Sequence, residues 1–177
     1  LKNMGRLEEA IESYEQAIVH EPKSMWYYIN KMSTLLEMGR RDEALTTIET
    51  ATKEMPDNAQ LWARRGQVER RMKRYNEALD SYTRALEIDN TYAWAWNGKG
   101  LCLGEMDRWA DALVCYEQAV QYDKRDVWFW HNYGESLCRT GKKDEAREAF
   151  QKALKIEGNH IPTRDKLRKL EKLGRCD

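Results

Sequence analysis

Small and large apolar residues recur along the chain with a period of 34 residues. Alanine takes the same register five times, and a second alanine series follows seven residues later. The two series are Ala10, Ala44, Ala78, Ala112 and Ala146, and Ala17, Ala51, Ala85, Ala119 and Ala153. A large apolar residue lies between the two alanines of each period, as Tyr14, Ile48, Tyr82, Tyr116 and Phe150. A fixed period of this length indicates one supersecondary unit stacked on copies of itself.

Each period contains two segments whose apolar residues follow the helical repeat. In residues 93–126 these stripes are Trp96, Gly100 and Leu103, and then Ala112, Tyr116 and Ala119. Apolar positions at i, i+4 and i+7 predict one buried face on each of two helices. Small residues on both faces let the helix axes approach closely, so the pattern predicts a helical hairpin and an all-α chain.

Glycine marks the break between the two helices in three periods, at Gly5, Gly39 and Gly141. Glycine adopts a positive φ after a helix end at little cost, which suits it to this position. Lys73 and Asp107 take its place in the other two periods. The sequence therefore predicts a turn at each of the five positions.

The alanine, glycine and aromatic positions resemble those of the tetratricopeptide repeat, a helical hairpin of 34 residues. The resemblance covers the whole chain and implies a right-handed superhelical solenoid of antiparallel helix hairpins. It divides the chain into one solenoid domain with the second helix of a unit at 1–24, four full units at 25–58, 59–92, 93–126 and 127–160, and a capping helix at 161–177. Because the first unit lacks its first helix, we expect the chain to be a fragment of a longer protein.

The resemblance implies a protein-protein interaction scaffold, because the first helices of such repeats line a concave groove that binds a peptide segment or a helix of another protein. Carrying over the groove positions gives the candidate peptide-binding residues Trp26, Asn30, Arg64, Gln67, Arg71, Trp94, Asn97, Leu101, Trp128, His131, Asn132 and Glu135. An alternative interpretation is a structural spacer or a self-association arm that uses the open N-terminal edge.

Individual positions in this set leave alternatives open. Trp26, Trp94 and Trp128 are either a stacking surface for a peptide or packing at helix starts. Asn30 and Asn132 either bond the backbone of a bound peptide, since an amide both donates and accepts, or are ordinary surface residues. The aromatic residues at the fourth position of the four full units are expected in the core, namely Tyr28, Trp62, Trp96 and Trp130.

The tetratricopeptide repeat family includes co-chaperones that clamp a C-terminal carboxylate with basic residues at the fifth and ninth positions of the 34-residue repeat. Those positions carry Ile29 and Ser33, Ala63 and Gln67, Asn97 and Leu101, and His131 and Glu135. No lysine or arginine occupies any of them, so we do not expect a clamp of this type.

The net charge of the chain does not indicate a particular class of binding partner. Thirty basic and thirty acidic residues leave a formal net charge of zero, so no overall field attracts nucleic acid or a membrane. A basic run lies between Arg64 and Arg74, but Glu105 and Glu135 stand at later groove positions. Nucleic acid is therefore not the expected partner, and the run is interpreted as a solvated, partly salt-bridged helix.

The chain has no apolar run long enough to span a membrane and no signal-peptide pattern at its start, so we expect a cytoplasmic protein. The four cysteines show no C-x-x-C spacing, which favours reduced thiols over a zinc site or a disulfide framework. His131, Glu135 and Cys138 share one predicted helix face and are the only candidates for a metal site or a thiol–base pair. Without a phosphate loop or nucleophile elbow, we expect no enzyme, no catalytic residues, no metal and no cofactor.

Overall fold

The computed structural model describes the chain from Lys2 to Gly174, with side chains from Gly5 onward. This part of the chain forms ten α-helices and no strands. The helices are α1 (Lys2–His20), α2 (Met25–Glu37), α3 (Arg41–Glu54), α4 (Ala59–Arg71), α5 (Tyr75–Ile88), α6 (Ala93–Glu105), α7 (Trp109–Tyr122), α8 (Val127–Arg139), α9 (Lys143–Ile156) and α10 (Ile161–Leu173). The predicted all-α class is confirmed. Between Lys2 and Leu173, no helix combines the length and the apolar character needed to cross a membrane.

The helices group into two compact units, Leu1–Asn90 and Thr91–Asp177, called unit 1 and unit 2 below. In unit 1, α1 packs on α2, and the hairpins α2–α3 and α4–α5 pack on each other through α3 and α4. In unit 2, the hairpins α6–α7 and α8–α9 pack through α7 and α8, and α10 packs on α9 and on α8. Each unit is therefore a stack of antiparallel helical hairpins.

Glycine and an aromatic ring meet at the crossing of three hairpins. A Cβ added at Gly66 would lie 3.0 Å from the Tyr82 ring, and one added at Gly100 would lie 2.7 Å from the Tyr116 ring. The same Cβ at Gly134 would lie 2.6 Å from the Phe150 ring. Only a residue without a Cβ fits against these buried rings, which explains the small position that the sequence repeats.

The α2–α3 hairpin solves the same packing problem with different residues. Met32 stands where the other hairpins have glycine, and Ile48 stands where they have an aromatic ring. Both side chains are at most 1% exposed and belong to one buried cluster. A larger residue on the first helix is thus accommodated by a smaller one on the second, which keeps the core volume roughly constant.

The turns between paired helices have the predicted left-handed residue. The φ angle is 77° at Gly39 and 83° at Gly141, and it is 61° at both Lys73 and Asp107. Lysine and aspartate adopt this conformation at a steric cost that glycine avoids. The prediction is wrong for Gly5, which lies inside α1. Glycine also adopts the right-handed helical conformation, and α1 continues through this position.

The cysteines differ from one another. Cys102 and Cys115 are buried thiols, and burial raises the pKa of Cys115 to about 11. Cys138 is disulfide-bonded, so the expectation of reduced cysteines is wrong for this residue. A disulfide sulfur is neither a thiolate ligand nor a nucleophile, which removes Cys138 from the proposed trio with His131. Cys176 lies outside the described residues.

Candidate functional site

In unit 1, the candidate residues lie on α2 and α4. Trp26 is 58% exposed and makes edge-to-face contacts with Tyr14 and Tyr27, at ring-centroid distances of 6.0 and 5.3 Å. The Asn30 amide donates to the backbone oxygen of Trp26, 2.7 Å away on the same helix. Trp26 therefore presents an exposed ring held by aromatic neighbours, whereas one Asn30 donor is used within its own helix.

The basic run on α4 is partly neutralised by neighbouring carboxylates. Arg65 forms ion pairs with Glu69 at 2.8 Å and with Glu49 at 3.4 Å. Arg64 donates to the side-chain oxygen of Gln67 at 3.3 Å, and Arg71 is exposed. The predicted salt-bridged character of this helix is present, and the candidates Arg64, Gln67 and Arg71 stand one helical turn apart along it.

In unit 2, the two candidate tryptophans differ in burial. Trp94 is half-buried against a cluster that includes Phe129, and it stacks on Tyr92 with ring centroids 6.3 Å apart. Trp128 is 50% exposed, and its ring meets His160 edge-to-face at 4.4 Å and His131 at 5.6 Å. Trp94 therefore contributes to packing at a helix start, whereas Trp128 offers half of its surface to a ligand.

Asn97 and Asn132 are brought together between α6 and α8. The Asn132 amide donates to the side-chain oxygen of Asn97 at 2.8 Å. Asn97 is only 8% exposed, so it stands below the surface and orients Asn132 above it. An asparagine side chain has two donors and two acceptor lone pairs, and this bond uses one donor of Asn132.

His131 belongs to a buried polar cluster that joins α8 to the start of α10. The Thr163 hydroxyl lies 2.9 Å from Nδ1 of His131 and 2.6 Å from Nδ1 of His160. One hydroxyl proton serves only one of these nitrogens, so the two imidazoles must take complementary tautomers. Burial lowers the pKa of His131 to about 4, against the opposing pull of nearby Glu135. His131 is thus a neutral structural residue that supports the Trp128 ring.

Glu135 lies at the edge of this cluster and is half-buried. Its carboxylate accepts a hydrogen bond from Lys166 of α10 at 3.0 Å, and Nε2 of His131 lies 3.9 Å away. The Lys166 ion pair links α10 to α8.

A cavity of about 270 Å³ opens beside these residues in unit 2. It lies between α6, α7 and α8, and its lining combines apolar and acidic side chains. The lining residues are Leu101, Gly104, Glu105, Trp109, Tyr116, Asn132 and Glu135. Three sequence candidates, Leu101, Asn132 and Glu135, therefore share one concave site. We call it the unit 2 pocket.

Sequence reasoning missed the wall of this pocket that α7 contributes. Trp109 begins α7 and was outside the groove positions, which all fall on first helices. Its indole N–H donates to Asp107 at 2.6 Å, and the Arg139 guanidinium lies 5.1 Å from its ring centroid. One signal was available, since Gly104 is a glycine in the last turn of α6, which suggests a close neighbour at that position.

Of the four aromatic residues expected in the core, only one is fully buried. Tyr28 is buried, but Trp62, Trp96 and Trp130 are half-buried. The indoles of Trp62 and Trp130 donate to backbone oxygens six residues earlier, at 2.8 and 3.0 Å. A basic side chain lies over each of the three rings, at 4.6 Å for Lys152 on Trp130. All three rings lie near helix starts, and Trp62 and Trp130 keep their polar edge bonded.

Within the described residues, no group of three or more His, Cys, Asp or Glu side chains is arranged to hold a metal ion.

The hairpins, their glycine–aromatic crossings and the concave pocket define a helical-repeat protein. Three sequence models of the tetratricopeptide repeat match the chain, at residues 3–68, 57–125 and 127–160. The chain belongs to the tetratricopeptide repeat family. A search of curated protein sequences finds no match.

Solved structures with the same fold share about one residue in five with the chain. TTC0263 from Thermus thermophilus is 20% identical with a TM-score of 0.76, and the match covers 98% of this chain and 94% of that one. YrrB, described as a TPR protein with an unusual peptide-binding site, is 21% identical with a TM-score of 0.69 over 93% and 85%. The first TPR of Spaghetti (RPAP3), bound to the HSP90 peptide SRMEEVD, is 20% identical with a TM-score of 0.63 over 64% and 90%. At this identity the likeness shows the fold.

Proposed function

We propose that the chain is a protein-interaction module that binds an extended peptide segment of a partner protein. The single observation that carries this proposal is the unit 2 pocket, whose lining includes Asn132, the partner of the buried Asn97. Trp128 stands half-exposed on α8, the helix that supplies Asn132 and Glu135 to the pocket. The peptide-binding descriptions of YrrB and of the RPAP3 domain support the same kind of role for this fold.

Trp128 is the proposed anchor because it combines exposed area with a fixed orientation. Its ring is held edge-to-face by His131 and His160, and both histidines are buried. A ring already held in place loses little side-chain entropy on binding, so most of its burial contributes to affinity. Tryptophan is also prominent among the residues that dominate binding energies at interfaces.

Asn132 is proposed to bond the backbone of the peptide. Its bond to Asn97 fixes the amide plane and leaves a donor and an acceptor for a ligand. A peptide group presents the complementary acceptor and donor, so recognition at this position is independent of the peptide sequence. Trp94, Leu101 and Glu135 complete the proposed surface in unit 2.

In unit 1 we propose the same role for the candidates on α2 and α4, of which Trp26 and Arg71 are exposed. They are Trp26, Asn30, Arg64, Gln67 and Arg71. Arginines on this face favour an acidic segment of the partner.

The test is selection of peptides from a random display library against the whole chain, followed by affinity measurement with the selected peptides. We expect Trp128→Ala to weaken binding by about 1–4 kcal/mol, the range of an aromatic interface anchor. Tyr122→Ala is the matched control, since Tyr122 is an aromatic residue 40% exposed on α7 and outside the proposed surface. Thermal unfolding of both variants checks that the fold is retained. Equal affinities for wild type and Trp128→Ala, or a selection that enriches no peptide, would contradict the proposal.

A further inference from the structure

We propose that the unit 2 pocket receives an arginine side chain of the bound peptide. This inference rests on the proposed function, because it names the residue that the peptide places in the pocket. At about 270 Å³ the pocket is smaller than the roughly 300–1,000 Å³ typical of small-molecule sites, and its size suits a single side chain.

The charged residues that line the pocket are both acidic. Glu135 is half-buried on α8, and Glu105 is exposed at the end of α6. Carboxylates with reduced access to water attract a cation more strongly than surface carboxylates do. The lining also contains Asn132, whose amide oxygen is an additional acceptor for N–H groups. These groups complement a donor-rich cation and repel an acidic side chain.

The remaining walls favour the planar guanidinium over an ammonium group. Leu101, Tyr116 and Trp109 supply apolar and aromatic surface for a long aliphatic stem and a flat head group. The chain itself places the Arg139 guanidinium 5.1 Å from the Trp109 ring centroid, so this indole already interacts with a group of that kind. Arginine stacks on aromatic rings and pairs with carboxylates in a fork, whereas lysine acts as a point charge.

Gly104 supplies the space for this arrangement. An added Cβ at Gly104 would lie 3.1 Å from Cζ3 of Trp109, so any larger residue would press on the indole that forms the wall. Glycine within a helix costs about 1 kcal/mol relative to alanine. Glycine at this position lets α6 pack closely against the Trp109 ring, and this packing offsets the cost of glycine in the helix.

Lys166 provides an internal competitor for the proposed ligand. Lys166 lies on α10, and its ammonium donates a hydrogen bond to the Glu135 carboxylate over 3.0 Å. Lys166 itself does not line the pocket. An incoming guanidinium would share or replace this bond. Removal of the Lys166 charge should therefore strengthen arginine binding, a result that a purely structural ion pair would not produce.

The experiment titrates the whole chain with N-acetyl-L-arginine amide and follows the indole N–H signal of Trp109 by heteronuclear NMR. N-acetyl-L-norleucine amide is the control, because it keeps an aliphatic stem without the cation. We expect a saturable shift of the Trp109 signal with the arginine probe and none with norleucine. Glu135→Gln and Glu105→Gln should each weaken binding about tenfold, as loss of a charge-assisted bond predicts. Lys166→Met should tighten it severalfold.

Two results would overturn the arginine pocket. The first is an equal response to the arginine and norleucine probes, and the second is weaker or unchanged arginine binding in Lys166→Met. Glu105→Gln keeps the test decisive if Glu135→Gln fails to fold, because Glu105 is exposed. If selected peptides depend on Trp128 while the arginine probe shifts nothing, the pocket inference fails and the proposed function stands. If the probe binds and no peptide is selected, the pocket exists and the peptide function fails.

Discussion

Replacement of Gly134 by alanine tests the glycine–aromatic crossing that builds each of three hairpins. The new Cβ would lie 2.6 Å from Cε1 and 2.7 Å from Cδ1 of Phe150. Cβ atoms essentially never approach another heavy atom within 3.0 Å, so the ring or the helix must shift. Phe150 is 0% exposed and has no solvent-filled space to enter. The substitution therefore overpacks the crossing of α8 and α9.

Two opposing effects set the size of the change. Overpacking of a well-packed core costs about 1–3 kcal/mol. Alanine in place of a helical glycine stabilises by about 1 kcal/mol. The single variant Gly134→Ala is therefore expected to lose about 0–2 kcal/mol in the free energy of unfolding, which alone is a weak test.

A double-mutant cycle with Phe150→Leu separates the two effects. Leucine lacks the Cε1 atom that would lie 2.6 Å from the added Cβ, and its branched end can rotate away, so Gly134→Ala should cost less in the Phe150→Leu chain than in wild type. The difference between the two backgrounds removes the helix-propensity contribution and leaves the clash. We expect a coupling energy of about 1–3 kcal/mol in favour of the double variant.

The assay is urea unfolding of the four chains, followed by circular dichroism and by tryptophan fluorescence to check that the transitions coincide. Gly66→Ala with Tyr82→Leu is the matched cycle, because its Cβ would lie 3.0 Å from the ring instead of 2.6 Å. Its coupling should be smaller. A Gly134 coupling within about 0.3–0.5 kcal/mol of zero, the usual limit of additivity, would refute the packing argument.

Three further predictions concern stability. Lys73→Gly relieves a positive φ of 61° and should raise the free energy of unfolding by about 0.5–1 kcal/mol. A lower free energy of unfolding, measured with urea, would show that the contacts of the lysine side chain outweigh the strain of its backbone. Glu69 is 2% exposed, and its carboxylate accepts a 2.6 Å bond from Ser81 and pairs with Arg65 at 2.8 Å, so Glu69→Ala should cost about 3 kcal/mol or more. Replacement of all three groups, as Glu69→Leu with Ser81→Ala and Arg65→Met, should cost much less, and similar losses in both variants would contradict this. For His131 the folded-state pKa of about 4 lies below the unfolded value of 6.5, so both states are neutral above pH 6.5 and only the unfolded state gains a proton as the pH falls. Wild type should therefore lose up to about 3 kcal/mol between pH 6.5 and 4 relative to His131→Gln, and parallel stability–pH curves for the two chains would exclude a buried neutral histidine.

The candidate pocket shows where sequence reasoning ends. Leu101, Asn132 and Glu135 were predictable, because they occupy first-helix positions that face one side at a known period. Trp109 was not, because it starts a second helix and reaches the pocket only through the packing of α7 on α6. The bond between Asn97 and Asn132 spans 35 residues, and no local pattern predicts which of two polar neighbours becomes buried.

The sequence by itself determined the all-α class, the positions of the helix pairs and four of the five predicted turns, those at Gly39, Lys73, Asp107 and Gly141. These features depend on local chemistry, since a 34-residue period, helical spacing of apolar residues and glycine after a helix act over short stretches of chain. Only the tertiary structure decided that His131 is neutral and buried, that Trp94 packs while Trp128 is half-exposed, and that an acidic pocket opens beside Trp109. Burial, pKa and concave shape arise from contacts between helices, which depend on how side chains distant in sequence fill the same space.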